Sequence, residues 1–296
     1  MKITFERVSY SYVNDQSDRG LVAGNRLTET NSPSASFLAL EDVSCVIEEA
    51  TVSLLAGHNG SGKSTFLKLM NGILKPCGGT VILGDIPTAD RKTSELARYC
   101  SLCFQNPDDQ LFAATVEKEI RFGLENIKSN DSLYRSVLQI LNLTELLKSN
   151  PFALTYAQKR IVAIAACVAM DTPIVALDEP TAGLSMREKE NLKGLLEFLK
   201  SRGKTIVIVS HDLEFFLPIA DDVVLLSKGR IRYAGGKNGL FGKGNSRVVF
   251  RESGVNYPVF RRIAEVLGLE EPSFDAKAII DELSKKRAGT TLRTNG

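Results

Sequence analysis

The chain has 296 residues, 43% of them hydrophobic, and a formal net charge of +2, so it can bury a large core and is not a disordered chain. Lys and Arg are interleaved with Asp and Glu, which leaves no electrostatic footprint for nucleic acid. The opening MKITFERVSYSYV alternates and carries charge, unlike a secretory leader, and the apolar stretch Ile161 to Met170 is far shorter than the roughly 20 residues of a bilayer span.

Lys2 to Tyr12, Leu38 to Ile47 and Thr51 to Ala56 read as three strands. The polar segment Val13 to Ser36 reads as a long loop inserted into a hairpin, with no role legible beyond a tolerated surface loop. After the third strand come GHNGSGKST and a helix closed by a glycine. Strand character follows in GGTVILGD and YCSLCF, and Glu117 to Leu147 is mostly helical. Further strands lie at Pro173 to Leu177, Thr205 to Ser210 and Asp222 to Leu226. A helix over Met186 to Arg202 and one beginning at Asp212 separate them. Alternating strands and helices around a glycine loop predict an α/β fold with a largely parallel sheet. Residues 106–168 read as an all-helical insertion, and a turn at Ser227 to Arg230 with the strand RIRYAG closes the core. From Lys237 a glycine-rich connector leads to helices near Tyr257 to Leu267 and Ala276 to Lys286, and RAGTTLRTNG is expected to fray.

Five scattered cysteines, Cys45, Cys77, Cys100, Cys103 and Cys167, suggest reduced thiols in a cytoplasmic compartment. Cys100 and Cys103 form a C-x-x-C inside a strand, with no second Cys or His pair to complete a zinc site.

Gly57 to Ser64, GHNGSGKS, matches G-x-x-x-x-G-K-[ST] between a strand and a helix. Glycines let main-chain N–H groups turn inward on phosphates, Lys63 supplies a charge, the helix start adds its dipole, and Ser64 is placed for Mg²⁺. TPIVALDEP ends an apolar strand in Asp178, a carboxylate for Mg²⁺ at the carboxyl edge of the sheet, and Glu179 next to it can polarise a water. His211 after TIVIVS and Gln105 in CFQNPDDQLF reach the same edge.

Together these motifs resemble the ATP-binding cassette of ABC transporters over roughly residues 1–236. GHNGSGKST is similar to its Walker A, FQNP to its Q-loop, IVALDEPT to its Walker B with catalytic glutamate, and SHD to its switch histidine. The resemblance implies a P-loop NTPase with a RecA-like core, an antiparallel β-subdomain, a helical signature subdomain and a small C-terminal helical extension that would dimerise. It implies ATP and Mg²⁺ as cofactors. Gly57, His58, Asn59, Gly60, Ser61, Gly62, Lys63, Ser64 and Thr65 would hold the phosphates, with Tyr12 on adenine, a place for which Tyr10 has a similar claim. Ser64, Gln105 and Asp178 would hold the metal, and Glu179, His211 and Lys63 would act in catalysis.

FQNPDDQLFAATVEKEIRFGLEN and the helical extension more closely resemble the ATPases of energy-coupling factor transporters, importers of vitamins and of cobalt or nickel ions. In that group two ATPases sit under a transmembrane coupling protein at the cytoplasmic face of the membrane, beside a separate substrate-capture membrane protein. ATP is sandwiched between one chain's Walker A and the other's LSGGQ signature. Here that signature reads LTYAQ. Leu154 and Gln158 match, Thr155 replaces Ser, Tyr156 and Ala157 replace the glycines, and Ser185 stands where an Asp is usual.

If those glycine positions need positive φ, each side chain costs roughly 1–2 kcal/mol, and the Tyr156 ring would hold the partner's phosphate away. The expectation is a heterodimer with unequal sites, against a homodimer that tolerates the change. The competing functions are a regulatory or non-transport nucleotide-binding protein with little hydrolysis, and a soluble cassette acting on ribosomes or DNA. Near-neutral charge and single-cassette length count against the latter.

Overall fold

A computed structural model describes residues 1–12, 37–127, 131, 133–242, 245–269 and 274–293. The expected loop at Val13 to Ser36 lies outside the described residues. Its strands are β1 (Ile3–Tyr12), β2 (Phe37–Ile47), β3 (Val52–Gly57), β4 (Gly78–Leu83), β5 (Ile86–Pro87), β6 (Cys100–Cys103), β7 (Ile174–Asp178), β8 (Thr205–Val209), β9 (Asp222–Ser227) and β10 (Arg230–Gly236). They form an antiparallel sheet of order β2-β1-β4-β5 and a six-stranded sheet of order β10-β9-β3-β8-β7-β6. In the second sheet β10 alone runs antiparallel, on the edge against β9.

The central strands are apolar along their whole length because both faces are covered. Val175, Leu177, Ile206 and Ile208 enter the core on one face, while Ile174, Ala176, Val207 and Val209 enter the core on the other. This alternation also settles the C-x-x-C. Spaced by an odd number along β6, Cys100 and Cys103 fall in the cores of opposite faces and cannot share a metal ion. Cys45 and Cys167 are buried as well, and Cys77 is exposed.

The helices are α1 (Lys63–Met70), α2 (Thr93–Leu96), α3 (Val116–Asn126), α4 (Tyr134–Ile140), α5 (Tyr156–Ala169), α6 (Met186–Ser201), α7 (Leu213–Phe216), α8 (Lys237–Gly242), α9 (Ser246–Glu252), α10 (Val259–Val266) and α11 (Ala276–Arg293). Phe66 of α1 stacks on Phe5 of β1 at 3.9 Å between ring centroids, which fixes the antiparallel sheet against the central one. The expected helical stretch 117–147 divides into α3 and α4. The glycine-rich connector carries two short helices, α8 and α9, and α11 runs through the stretch expected to fray as far as Arg293. What holds α8 and α9 is tertiary rather than local. Phe241 and Phe250 are buried and gather Tyr257 and Phe274 into an aromatic cluster continuous with the main core.

Candidate functional site

The glycine loop leaves β3, whose six residues are all buried, and enters α1 at Lys63. Gly62 sits at the helix cap with φ 106°, and a Cβ there would lie 2.6 Å from the Ala39 carbonyl, so no other residue fits without moving β2. Lys63 Nζ donates to the carbonyls of Gly57 at 2.8 Å and His58 at 3.0 Å, so the ammonium is held over the loop it would serve. Burial pushes the Lys63 pKa down, against the pull of Glu179 and Asp178. A desolvated cation held over a glycine loop at a helix start is suited to an anion.

A cavity of about 480 Å³ opens over the loop, and Tyr12, Asn59, Gly60, Gly62, Lys63, Ser64, Thr65, Gln105, Asp178 and Glu179 line it. Ten of the expected site residues therefore meet in one place. Tyr12, half-exposed at the end of β1, shares a hydrogen bond with Thr65 Oγ1 at 3.2 Å and packs edge-on against Tyr10. Ser61 is fully buried with its hydroxyl unpaired among the described residues.

Opposite the loop, Ser64 Oγ donates to Asp178 Oδ2 at 2.9 Å. Burial pushes the Asp178 pKa up, with Glu179 adding to the rise and Ser64, Lys63 and Arg160 opposing it. A buried carboxylate that resists ionisation, beside a hydroxyl and the Gln105 amide, is an oxygen donor set that fits Mg²⁺. Glu179 follows with φ 48°, a left-handed conformation unusual for a residue with a side chain. Its Oε2 accepts from Ser210 Oγ at 3.1 Å, and its Oε1 lies 2.9 Å from His211 Nδ1.

His211 and His58 stand apart from the first cavity. Both line a second one, of about 550 Å³, with Asp212, Glu214, Gly254 and Tyr257. Among the described residues, His211 meets the first site through Glu179. His58 gives its Nδ1–H to Asn59 O at 2.7 Å and accepts from Lys228 N on Nε2, so its ring is turned toward the C-terminal segment.

Thr155, Tyr156, Ala157 and Gln158 gather at the start of α5, and none of the four lines the first cavity. Tyr156 and Ala157 are ordinary helical residues, so the left-handed cost anticipated for them does not arise. The Thr155 hydroxyl is engaged locally, in a capping box with Gln158. Ser185 does the same for α6 with Glu188. The patterns T-x-x-Q and S-x-x-E were present in the sequence as cap signals and explain why Thr and Ser suit these positions. The Tyr156 ring lies against the chain itself: a Cβ at Gly183 would come within 2.8 Å of it. Sequence reasoning also passed over Arg160, fully buried one turn later, whose signal was a lone cation entering the apolar run IVAIAACVAM.

The ABC transporter family profile matches residues 40–182. The energy-coupling factor transporter ATP-binding protein EcfA2 of Bacillus subtilis is 40% identical over 217 residues, covering 70% of this chain and 79% of that one. EcfA2 of Lactococcus lactis is 36% identical, covering 81% and 80%. The solved structure of cbiO1 from Clostridium perfringens, part of the ABC transporter complex cbiONQ, superposes with a TM-score of 0.66 at 28% identity, over 90% of this chain and 98% of that one. With the fold, the glycine loop and these relatives in agreement, the chain belongs to the ATP-binding proteins of energy-coupling factor transporters, which are ABC ATPases.

Proposed function

We propose that this chain is the ATP-hydrolysing subunit that energises an energy-coupling factor importer for a micronutrient, a vitamin or a cobalt or nickel ion. It works at the cytoplasmic face of the membrane, paired with a second ATPase. The carrying observation is the convergence of Lys63, Ser64, Gln105, Asp178 and Glu179 on one cavity, with His211 bonded to the back of Glu179. In this reading the loop residues 57–65 grip the phosphates and Tyr12 supports adenine. Ser64, Asp178 and Gln105 would hold Mg²⁺, which when bound would neutralise phosphate charge. Glu179 draws the proton from the attacking water, and His211 orients Glu179 and senses the γ-phosphate.

Residues 1–236 form the cassette, with 106–168 its helical part, and 237–296 form an extension. Exposed Val259, Ile263 and Val266 on α10 support a dimerising role for that extension. A membrane partner is supported by an apolar groove of about 440 Å³ between α3 and α5, at whose mouth Phe112 and Phe122 meet edge-on and half-exposed. Among the described residues no helix is long and apolar enough to cross a membrane.

Unequal sites are supported by Thr155, whose hydroxyl is engaged in a cap, and by bulky Tyr156 where the family has glycine. Hydrolysis should be slow for the chain alone and faster in the complex purified through a tag on it. Glu179→Gln should lower the rate of this chain's own pocket by about 10²–10⁴-fold. Fast turnover by the isolated chain, abolished by that substitution, sinks the unequal-site reading. The capped Thr155 also favours a second reading, a regulatory subunit with little hydrolysis, and uncleaved ATP persisting through a single turnover with the partner present selects it.

A further inference from the structure

One side chain joins the altered signature to the catalytic edge of the same chain. Arg160 is fully buried, yet its hydrogen-bond partners are two main-chain carbonyls and a phenol, and its Nε is unpaired among the described residues. Burying a cation against neutral acceptors is costly, so the position calls for a reason in what the guanidinium holds.

β6 and β7 are parallel neighbours with Cys103 opposite Leu177, so Phe104 and Asp178 stand side by side where the ladder ends. Arg160 Nη1 donates to the Phe104 carbonyl at 3.1 Å and reaches the Asp178 carbonyl at 3.4 Å, a rung across the two strand ends. The Asp178 carbonyl shares its peptide plane with the Glu179 N–H, which donates to Val209 O at 2.8 Å. Both polar groups of the peptide that joins the metal carboxylate to the base are thus held. Glu179 is strained in the left-handed region, and a rotation of that plane would relieve the strain and swing its carboxylate away. The Phe104 carbonyl belongs in the same way to the plane that leads into Gln105.

At its far side the guanidinium is fixed by the signature. Nη2 donates to Tyr156 Oη at 2.7 Å, and the cation lies 5.5 Å from the Tyr156 ring centroid. The ring in turn rests on Gly183, in the loop that follows β7. We propose that Arg160, anchored by Tyr156, is a positioning residue for this chain's own hydrolytic site, fixing the peptide planes that aim Glu179 and Gln105. The replacement in the signature then acts at home as well as across the dimer. This rests on the ATP-hydrolysing reading of the site.

The test uses Tyr156→Phe, Arg160→Met and Arg160→Lys. In the complex purified through a tag on this chain, kcat and KM for ATP are measured. With the chain alone, the Mg²⁺ concentration that half-saturates binding of a fluorescent ATP analogue is measured. Tyr156→Phe should lower kcat by about 10-fold and raise the Mg²⁺ midpoint several-fold, the scale seen when outer-shell support is lost, with analogue affinity in EDTA and KM unchanged. Arg160→Met should lose more and Arg160→Lys recover part of it. Should Arg160→Met fail to fold, Tyr156→Phe, which keeps the ring, carries the test by itself. A Tyr156→Phe chain with kcat and Mg²⁺ midpoint both within about twofold of the parent overturns the proposal. So does a kcat loss matched by an equal loss of analogue affinity in EDTA, which would mean general loosening. Failure of the parent chain to bind the analogue at all would overturn the nucleotide reading instead.

Discussion

Burial disfavours the charged forms of both Asp178 and Lys63, which makes the pocket a local source of instability. The folded Asp178 pKa lies above its ordinary 3.8, so the unfolded chain loses that proton first. Stability contributed by this group therefore falls as pH rises from the ordinary value through the raised one. For Lys63, depressed below 10.5, the sign is opposite at the alkaline end: stability rises as pH climbs through the lowered value. Asp178→Asn should accordingly raise the Tm of the nucleotide-free chain near neutral pH, while removing the tightening of ATP binding by Mg²⁺. Scanning fluorimetry across pH with and without Mg-ATP checks both halves. The residues lining the first cavity were legible because each sits in a pattern tied to a strand end. Arg160 was not, because its partners, the carbonyls of Phe104 and Asp178, come from separate strands that only the folded sheet brings together.

At the scale of elements, the unusual residues Thr155 and Ser185 double as helix starts. Thr155→Ala and Ser185→Ala should each cost about 1 kcal/mol in urea unfolding, the ordinary value of an N-cap. Ser185→Asp should retain the cap, since aspartate serves there equally well. A loss in Thr155→Ala hydrolysis without loss of stability would show that the hydroxyl serves a nucleotide and not α5. Strands β7 and β8 were legible as continuous apolar runs because both their faces are buried. The helices α8 and α9 were not. The glycines of α8 disfavour local helix and α9 is only seven residues long, so both depend on the packing of Phe241 and Phe250 against Tyr257 and Phe274.

At the scale of the molecule, the C-terminal segment is fastened to the glycine loop rather than appended to it. The His58 N–H donates to Ser253 O at 3.1 Å, Ser227 Oγ donates to Glu252 O at 2.8 Å, and Gly254 packs over the His58 ring. Removing residues 237–296 strips the His58 amide of its acceptor and exposes the core beneath the aromatic cluster. Truncation after Gly236 should lower Tm by several degrees and weaken ATP-analogue binding, measured on the purified chain. A truncated chain with unchanged analogue affinity would show that the clasp leaves the loop's conformation untouched.

The burial of four of the five thiols leaves a handle for spectroscopy. Burial raises the Cys45 and Cys167 thiols to about 12 and holds Cys100 and Cys103 well above the usual thiol range, so these four are shielded from electrophiles. Cys77 is exposed, 3.8 Å from Ser11 Oγ, and its N–H is bonded to Ser9 on the strand that ends in Tyr12. A maleimide dye should therefore label the native sequence selectively at Cys77, beside the strand whose end, Tyr12, lines the first cavity, and turn the wild-type protein into its own fluorescent reporter of what that cavity binds.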